Sequence, residues 1–241
     1  MITLDQVDKR YPNGHEALSQ ITLDIDQGEM VFLTGHSGAG KSTLLKLIAL
    51  IDRPSSGQIL VGGKLLNAIS PRQTAFYRRR IGIIFQNPKL LDNYTVFENV
   101  AIPLIIAGFN RFDIQRRVRA ALDRVGLLSK ENLKPTYLSQ GEQQRVGIAR
   151  AVVHKPELLL ADEPTGNLDP TLAFEIMSLF ERFHQVGVTA LIATHDIGLL
   201  KRFAKHRVLH LEEGKLVQNT HSKGIRLKRE REIDQEQPQH A

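Results

Sequence analysis

A glycine-rich segment, GHSGAGKST, fits the pattern G-x-x-x-x-G-K-[ST] between an apolar run, MVFLTG, and a helical run that starts at Lys41. Its glycines let successive backbone N–H groups turn toward a phosphate, and the following helix N-terminus adds a positive dipole end. We expect Lys41 to reach the β- and γ-phosphates of a nucleotide and the Ser42 hydroxyl to bind Mg²⁺. The predicted phosphate-binding residues are Gly35, His36, Ser37, Gly38, Ala39, Gly40, Lys41, Ser42 and Thr43.

Two adjacent carboxylates, Asp162 and Glu163, end the apolar run in ELLLADEP. The carboxyl ends of strands in an open α/β sheet form the edge where such sheets bind ligands. Two neighbouring carboxylates there cost free energy unless each one contacts a cation or takes part in proton transfer. We therefore expect Asp162 to contact Mg²⁺ and Glu163 to act as general base for an attacking water.

A second polar helix start lies in the segment LSQGEQQRVGIAR, which begins at Leu138. Ser139 and Glu142 have the S-x-x-E spacing of a capping box, which satisfies N–H groups at a helix start. A capped helix start with an exposed serine hydroxyl and a glycine is also suited to anions. The residues alone leave two interpretations open: a helix cap, or a cap that also binds a phosphate.

The elements around these motifs predict an α/β fold. MVFLTG, ELLLADE and TALIATHD have the continuous apolar pattern of strands buried on both faces, and a helical stretch separates the last two. This alternation implies a mainly parallel sheet. The alternating pattern of ITLDID predicts a small antiparallel sheet in the first thirty-odd residues. Apolar residues at helical spacing between Asn110 and Leu127 predict a helical insertion over about residues 87–156.

Composition excludes several classes of protein. The 241 residues are 41% hydrophobic and 24% charged, which is typical of globular proteins, and the absence of Cys excludes disulfides and Cys-based metal sites. The net charge of +6 lies in short basic clusters without interleaved aromatic residues, and the sequence has no Trp. We therefore expect no nucleic-acid partner.

The sequence also carries expectations about membranes and the chain ends. MITLDQVDKRY has no apolar block, and the most apolar stretch, residues 100–108, is less than half of the ~20 residues that a spanning helix needs. The apolar periodicity of the sequence weakens after Gly214, and Lys, Arg, Glu and Gln dominate residues 221–241. We expect a folded domain of residues 1–220 and a solvated tail of low order; weak attraction of the tail to anionic lipid is the alternative.

The order of the phosphate loop, LSQGE, LLLADEP, NLD and IATHD resembles that of ATP-binding cassette (ABC) ATPases, over roughly Ile2 to Lys215. The resemblance implies a P-loop NTPase core with a small antiparallel β subdomain and an inserted helical subdomain, and hydrolysis of ATP with Mg²⁺. It also implies roles for four more residues: Tyr11 stacks on adenine, Gln86 lies near Mg²⁺ and the water, Asp169 follows the catalytic carboxylate, and His195 contacts the γ-phosphate.

The resemblance assigns a second role to LSQGE, as a clamp over ATP that the other subunit of a homodimer holds. Because one chain carries two half-sites, a head-to-tail dimer with twofold symmetry closes two sites at once. The clamp residues are Ser139, Gln140, Gly141 and Glu142. The chain departs from LSGGQ at Gln140, which adds bulk, and at Glu142, which keeps the capping pattern; Gly141 keeps the position of closer backbone approach.

Longer matches, including AIPLIIAG and GEQQRVGIARAVV, resemble the cell-division branch of the family. That branch implies an integral membrane partner of the FtsX type, control of cell-wall hydrolysis, and a peripheral position at the cytoplasmic face of the inner membrane. ATPases of lipoprotein-release and macrolide-export transporters share ADEPTGNLD and are the alternative. Soluble ABC proteins of DNA repair or translation form a third class, whose zinc clusters, coiled coils and fused cassettes this sequence lacks.

In ABC ATPases the segment after Gln86 receives a cytoplasmic helix of the membrane partner. In this chain the segment reads NPKLLDNYTVFENVAIPL. Its apolar residues can serve as that docking surface or as ordinary core. The candidate contacts are Leu90, Leu91, Tyr94 and Val96.

Overall fold

The computed structural model describes residues 1–166 and 168–220. The strands are β1 (Ile2–Arg10), β2 (Glu16–Ile25), β3 (Met30–Thr34), β4 (Ser56–Val61), β5 (Lys64–Leu65), β6 (Ile81–Ile84), β7 (Leu158–Asp162), β8 (Thr189–Ala193), β9 (Arg207–Glu212) and β10 (Lys215–Thr220). The α-helices are α1 (Lys41–Ile48), α2 (Pro71–Arg78), α3 (Val96–Ile106), α4 (Arg111–Arg124), α5 (Gln140–Val152), α6 (Pro170–Gln185) and α7 (Ile197–Arg202).

The larger sheet has the strand order β10-β9-β3-β8-β7-β6. Strands β9, β3, β8, β7 and β6 are parallel, and β10 is antiparallel to β9. Strands β3 and β8 are buried along their whole length, as their continuous apolar sequences predicted. Because β3, β8 and β7 are neighbours with one direction, the segments that follow them meet at the same edge of the sheet.

The smaller sheet is antiparallel, with the order β2-β1-β4-β5. The alternating pattern of the first thirty-odd residues correctly predicted β1 and β2. Residues 56–65 add β4 and β5, which we had not assigned. Apolar side chains of this sheet, such as Leu4 and Leu23, share one core cluster with Leu44 and Leu47 of α1. This packing fixes the helix that follows the glycine-rich loop.

Three helices lie between β6 and β7, where we predicted a helical insertion. The helix predicted between Asn110 and Leu127 is α4. Val100 of α3, Val118 of α4 and Val146 of α5 are fully buried and belong to one apolar cluster that also includes Phe32 of β3. The helices are therefore packed onto the central sheet, and the limits of a helical subdomain stay a prediction.

The end of the described chain differs from the sequence expectation. The apolar periodicity of the sequence weakens after Gly214, yet residues Lys215–Thr220 form β10 at the edge of the sheet. Most residues of β10 are exposed, and its pairing with β9 depends on backbone hydrogen bonds, so it has no apolar signature. The predicted tail, residues 221–241, lies outside the described residues. Among those that the structure describes, no helix has the length and apolar character to cross a membrane.

Candidate active site

The glycine-rich loop takes a backbone path that few other residues allow. Gly35, Gly38 and Gly40 have φ values of 146°, 84° and 103°. A Cβ added at Gly35 would lie 2.3 Å from the Leu211 carbonyl oxygen, and one at Gly40 would lie 2.6 Å from that of Ala17. Gly40 is the N-cap of α1 and gives it no side-chain cap. The first N–H groups of α1 are thus left for a ligand at a positive helix end.

Lys41 places a buried positive charge in this loop. Its Nζ donates hydrogen bonds to the carbonyl oxygens of Gly35 at 2.8 Å and His36 at 3.0 Å. The same atom lies 3.8 Å from Glu163 Oε1. His36, Ser37 and Gly38 are exposed, Ala39 and Gly40 are buried, and Ser42 and Thr43 are partly buried. The loop therefore presents an open face above a fixed cation, which suits a polyphosphate.

Glu163 lies where β7 ends, with a left-handed backbone of φ 48°. Its backbone N–H donates to the Ala193 carbonyl of β8 at 3.0 Å, which fixes this unusual turn. Its carboxylate faces two cationic or basic groups, because Oε1 is near Lys41 and Oε2 contacts His195 Nδ1. The structure thus brings together three predicted catalytic residues that are distant in sequence.

Asp162 and Gln86 complete this edge of the sheet. Asp162 Oδ1 is buried and has no hydrogen-bond partner among the described residues. An unpaired buried carboxylate oxygen is costly, and a cation would satisfy it. The Gln86 Nε2 and Glu163 Oε2 atoms lie 3.1 Å and 3.5 Å from the position of a Cβ added at Gly166. The side chains of Gln86 and Glu163 are therefore neighbours.

Two residues assigned through the family resemblance have defined surroundings. The Tyr11 hydroxyl lies 3.5 Å from Thr43 Oγ1, and Lys9 Nζ lies 4.9 Å from the tyrosine ring centroid. Tyr11 is thus beside the phosphate loop, and its contact with adenine stays a prediction. Asp169 is the N-cap of α6 and accepts hydrogen bonds from the N–H groups of Thr171 and Leu172.

The capping box at the start of α5 is present. Ser139 Oγ accepts from the Glu142 N–H at 3.3 Å, and Glu142 Oε2 accepts from the Ser139 N–H at 3.0 Å. Ser139 and Gln140 are exposed. The Ser139 hydroxyl acts as acceptor in the cap, so its own proton is available to an anion.

Glu142 and Gly141 each contact a neighbouring part of the chain at this clamp. Glu142 Oε1 accepts from Lys130 Nζ at 2.5 Å, and this hydrogen bond is the main cause that lowers the pKa of Glu142. Its carboxylate therefore holds the helix start, and its predicted contact with a nucleotide stays a prediction. Gly141 is buried, and a Cβ there would lie 2.1 Å from Leu172 Cδ2. Glycine is needed at this position for the contact with α6.

Comparison with known proteins fits this geometry. The profile of the ABC transporter family matches residues 18–166. This chain belongs to that family. It is 58% identical over 216 residues to the cell division ATP-binding protein FtsE of Escherichia coli (strain K12), which covers 90% of this chain and 97% of that protein. It is 45% identical over 219 residues to the protein of the same name from Bacillus subtilis (strain 168), at 91% and 96% coverage.

A solved structure agrees with the fold of this ABC protein. The ATP-binding cassette MJ0796, as a dimer in a post-hydrolysis state bound to ADP and Pi, superposes with a TM-score of 0.86 at 34% identity. The match covers 93% of this chain and 100% of that chain. The predicted α/β ABC fold is confirmed, and the chain is an ABC-type ATPase that binds ATP.

The predicted docking residues of this ABC ATPase differ in their exposure. Leu91 and Tyr94 are 45% and 47% exposed, and Leu90 packs partly against the core. Val96 is 0% exposed in the apolar core, so its assignment to a docking surface was wrong. It is the first residue of α3, directly after the N-cap Thr95, and turns inward with the helix.

The sequence reading also missed polar residues that shape the site of this ABC ATPase. Lys130 holds Glu142, and the buried Gln144 and the largely buried Arg150 contact the segment around Gln86. For Gln144, the available signal was its position one turn before Gly147 and Ile148, on the face of α5 that is buried, where an amide needs a partner.

Proposed function

We propose that this ABC ATPase is the ATP-hydrolysing subunit of an FtsEX-like membrane complex that controls cell-wall hydrolysis during cell division. The similarity to FtsE over nearly the whole chain carries this proposal. We further propose that residues 1–220 form the ABC ATPase domain, with a helical subdomain over about 87–156 and a charged tail at 221–241. The protein acts at the cytoplasmic face of the inner membrane and contacts the membrane through its partner.

The cluster at the sheet edge supports a division of roles in hydrolysis. Glu163 takes a proton from the attacking water. Lys41 and His195 stabilise the charge on the transferred phosphoryl group. The side chains of Asp162, Ser42 and Gln86 fit Mg²⁺, as the unpaired Asp162 oxygen indicates. When bound, Mg²⁺ neutralises charge on the β- and γ-phosphate oxygens.

The clamp supports a head-to-tail homodimer. The Ser139 hydroxyl is exposed and free to donate, whereas the phosphate loop and the catalytic carboxylate are elsewhere on the chain. In the dimer, each clamp closes over the nucleotide held by the other subunit. Two equal sites then form around one twofold axis.

Glu163→Gln tests the base and the dimer together. The variant should bind ATP but hydrolyse it about 10²- to 10⁴-fold more slowly, because a general base contributes that much. With ATP and Mg²⁺, light scattering should show its mass double. Glu157→Gln is the matched control, since Glu157 precedes the same strand and its partner is Arg80. Undiminished hydrolysis by Glu163→Gln would remove Glu163 from the role of base, and an unchanged mass would count against the dimer.

The exposed Leu91 and Tyr94 support a docking surface for the FtsX-type partner beside the Gln86 loop. Leu91→Asp should release the protein from membranes that contain the partner while the folded protein still binds ATP. Val186→Asp, another exposed apolar position, should remain bound. Co-purification from membranes with and without the partner measures this. Membrane association that persists without the partner, or unfolding of Leu91→Asp, would contradict the assignment.

A further inference from the structure

Gln144 contacts the backbone immediately before Gln86. It lies in α5, its side chain is 3% exposed, and its Nε2 donates to the Phe85 carbonyl oxygen at 3.2 Å. A buried amide is costly without partners, so this hydrogen bond is retained only while α5 and the Phe85 backbone stay together. Gln144 therefore fixes the start of the loop that carries Gln86.

Arg150 contacts the backbone immediately after Gln86. Its Nη1 donates to the Lys89 carbonyl at 3.1 Å, and its Nη2 donates to the Pro88 carbonyl. Burial lowers the pKa of Arg150, and among the described residues its guanidinium is satisfied by these backbone carbonyls. The planar fork of arginine reaches both oxygens at once, which lysine cannot do.

Gly147 brings α5 into direct contact with the same loop. A Cβ added at Gly147 would lie 2.7 Å from Pro88 Cβ, so the proline packs where a side chain would otherwise be. Lys89 has a left-handed φ of 50°, and its N–H donates to Asn87 Oδ1 at 3.1 Å. The loop is thus a defined turn held against α5 on both sides of Gln86.

The same helix begins at the clamp. Ser139 is the N-cap of α5, and Gln144 and Arg150 follow it on one continuous helix. Gln86 itself is exposed, and its amide lies beside Glu163. A rigid helix that is attached to the loop backbone moves the loop with it, and the position of a catalytic side chain matters at the scale of about 1 Å.

We infer that Gln144 and Arg150 are positioning residues that set the place of Gln86 at the catalytic centre. Through them, helix α5 joins the clamp, which contacts one nucleotide of the dimer, to the Gln86 loop, which serves the other. The inference rests on the proposed role of Gln86 in hydrolysis and on the proposed dimer.

A double-mutant experiment on the full-length protein tests this inference. Gln144→Ala should lower kcat for ATP about ten- to a hundredfold, with KM changed less than about threefold, because the loop shifts while the phosphate loop is untouched. In a Gln86→Ala background, the same substitution should cause no further loss, since the group that it positions is gone. Arg150→Lys should behave in the same way. Because it keeps the charge, it provides a second test if Gln144→Ala is poorly folded.

Matched controls lie on the same helix. Gln143 Nε2 also donates to two backbone carbonyls, those of Pro135 and Leu138, but neither belongs to the Gln86 loop. Because Leu138 precedes the clamp residue Ser139, any loss of kcat in Gln143→Ala should be equally large in the Gln86→Ala background and in its absence. Arg145→Lys is the control for Arg150→Lys, because Arg145 pairs with Glu175.

The two possible failures are distinguishable. If Gln86→Ala lowers turnover but Gln144→Ala has no effect, or has an additive effect, the positioning inference is overturned and the role of Gln86 is kept. If Gln86→Ala turns over ATP at the wild-type rate, the proposed role of Gln86 fails, and the inference fails with it.

A second measurement does not depend on turnover. The chain has no Cys, so Lys89→Cys provides a unique, exposed site for a spin label in the loop and keeps the Asn87 side chain that shapes the turn. Gln144→Ala and Arg150→Lys should each increase the mobility of the label, whereas Gln143→Ala should not. Equal mobility in all variants would overturn the inference.

Discussion

Helices α1 and α5 both begin at a proposed phosphate contact, but their N-termini are built in opposite ways. Helix α1 starts after a left-handed glycine that gives no side-chain cap, and its first residue is the buried Lys41. Helix α5 starts with an exposed Ser139 and a complete capping box. The first helix start leaves its N–H groups for a ligand, and the second satisfies its own.

Under the proposed function, this difference separates a site that one chain completes from a site that needs a second chain. The phosphate loop combines free N–H groups, a fixed cation and the edge of a parallel sheet, so one chain suffices to hold a nucleotide. The start of α5 offers only the proton of the Ser139 hydroxyl, at a helix N-terminus that is already capped. That contribution matters only when another molecule presents a phosphate to it, which is consistent with a half-site that a dimer completes.

Lys41→Ala should have the largest effect on the site formed by one chain. Loss of a buried charged partner costs about 2–5 kcal/mol, so ATP affinity should fall at least about thirtyfold. Lys46→Ala, at the exposed far end of the same helix, should bind ATP like the wild type. Titration calorimetry with ATP and Mg²⁺ measures both. Wild-type affinity of Lys41→Ala would remove the contrast between the two helix starts.

Ser139→Arg should affect the site formed by two chains and spare the other. In the Glu163→Gln background, it should prevent dimerisation in ATP and Mg²⁺, because bulk and charge replace the hydroxyl, while ATP binding to the monomer remains. The control is Ser70→Arg, since Ser70 is an exposed capping-box serine of α2 and loses an equivalent cap. Light scattering gives the mass. A dimer that persists in Ser139→Arg would show that α5 is not the clamp.

Glu142→Gln should have the smallest effect of the three substitutions, a small loss of stability. The glutamine side-chain oxygen still accepts from the Ser139 N–H, and only the ion pair with Lys130 is lost. A partly exposed pair contributes less than about 1 kcal/mol to stability. Since the ion pair lowers the pKa of Glu142, its contribution is complete above the ordinary glutamate pKa and is lost as the pH falls through the lowered value.

Denaturation of wild type and Glu142→Gln across a pH series checks this expectation. The difference in unfolding free energy should be present near neutral pH and disappear in acid. Glu98→Gln in the capping box of α3 is the control, because the main cause that lowers the pKa of Glu98 is a backbone hydrogen bond from Thr95. An equal pH-dependent loss in both variants would assign the effect to the cap.

The central sheet and its catalytic edge followed from sequence because parallel strands have a strong signature. Their continuous apolar runs located β3, β7 and β8, and common direction placed Lys41, Glu163 and His195 together. Strand β10 was not predicted, because an exposed edge strand lacks the alternating apolar residues that indicate a strand. Val96 was misassigned although Thr95 and Glu98 have capping-box spacing, which indicates that the residue directly after Thr95 begins a helix.

The contacts of α5 show what the sequence alone could not give. The pairing of Gln144 and Arg150 with carbonyls near Gln86 depends on how α5 is rotated against a loop that lies far away in the chain. Helical periodicity predicts which face is buried but not which backbone oxygen meets it. Such polar contacts to backbone carbonyls carry no sequence signature of their own.

The strand order of the central sheet also sets the distance between its two edges. Strand β10 is at one edge and β6, which leads to Gln86, is at the other, five strand spacings away. At about 4.8 Å per spacing, the two edges are about 24 Å apart. Probes at Lys215, the start of β10, and at Lys89 would therefore lie within the range of pulsed electron paramagnetic resonance, and would report movement of the Gln86 loop relative to the sheet.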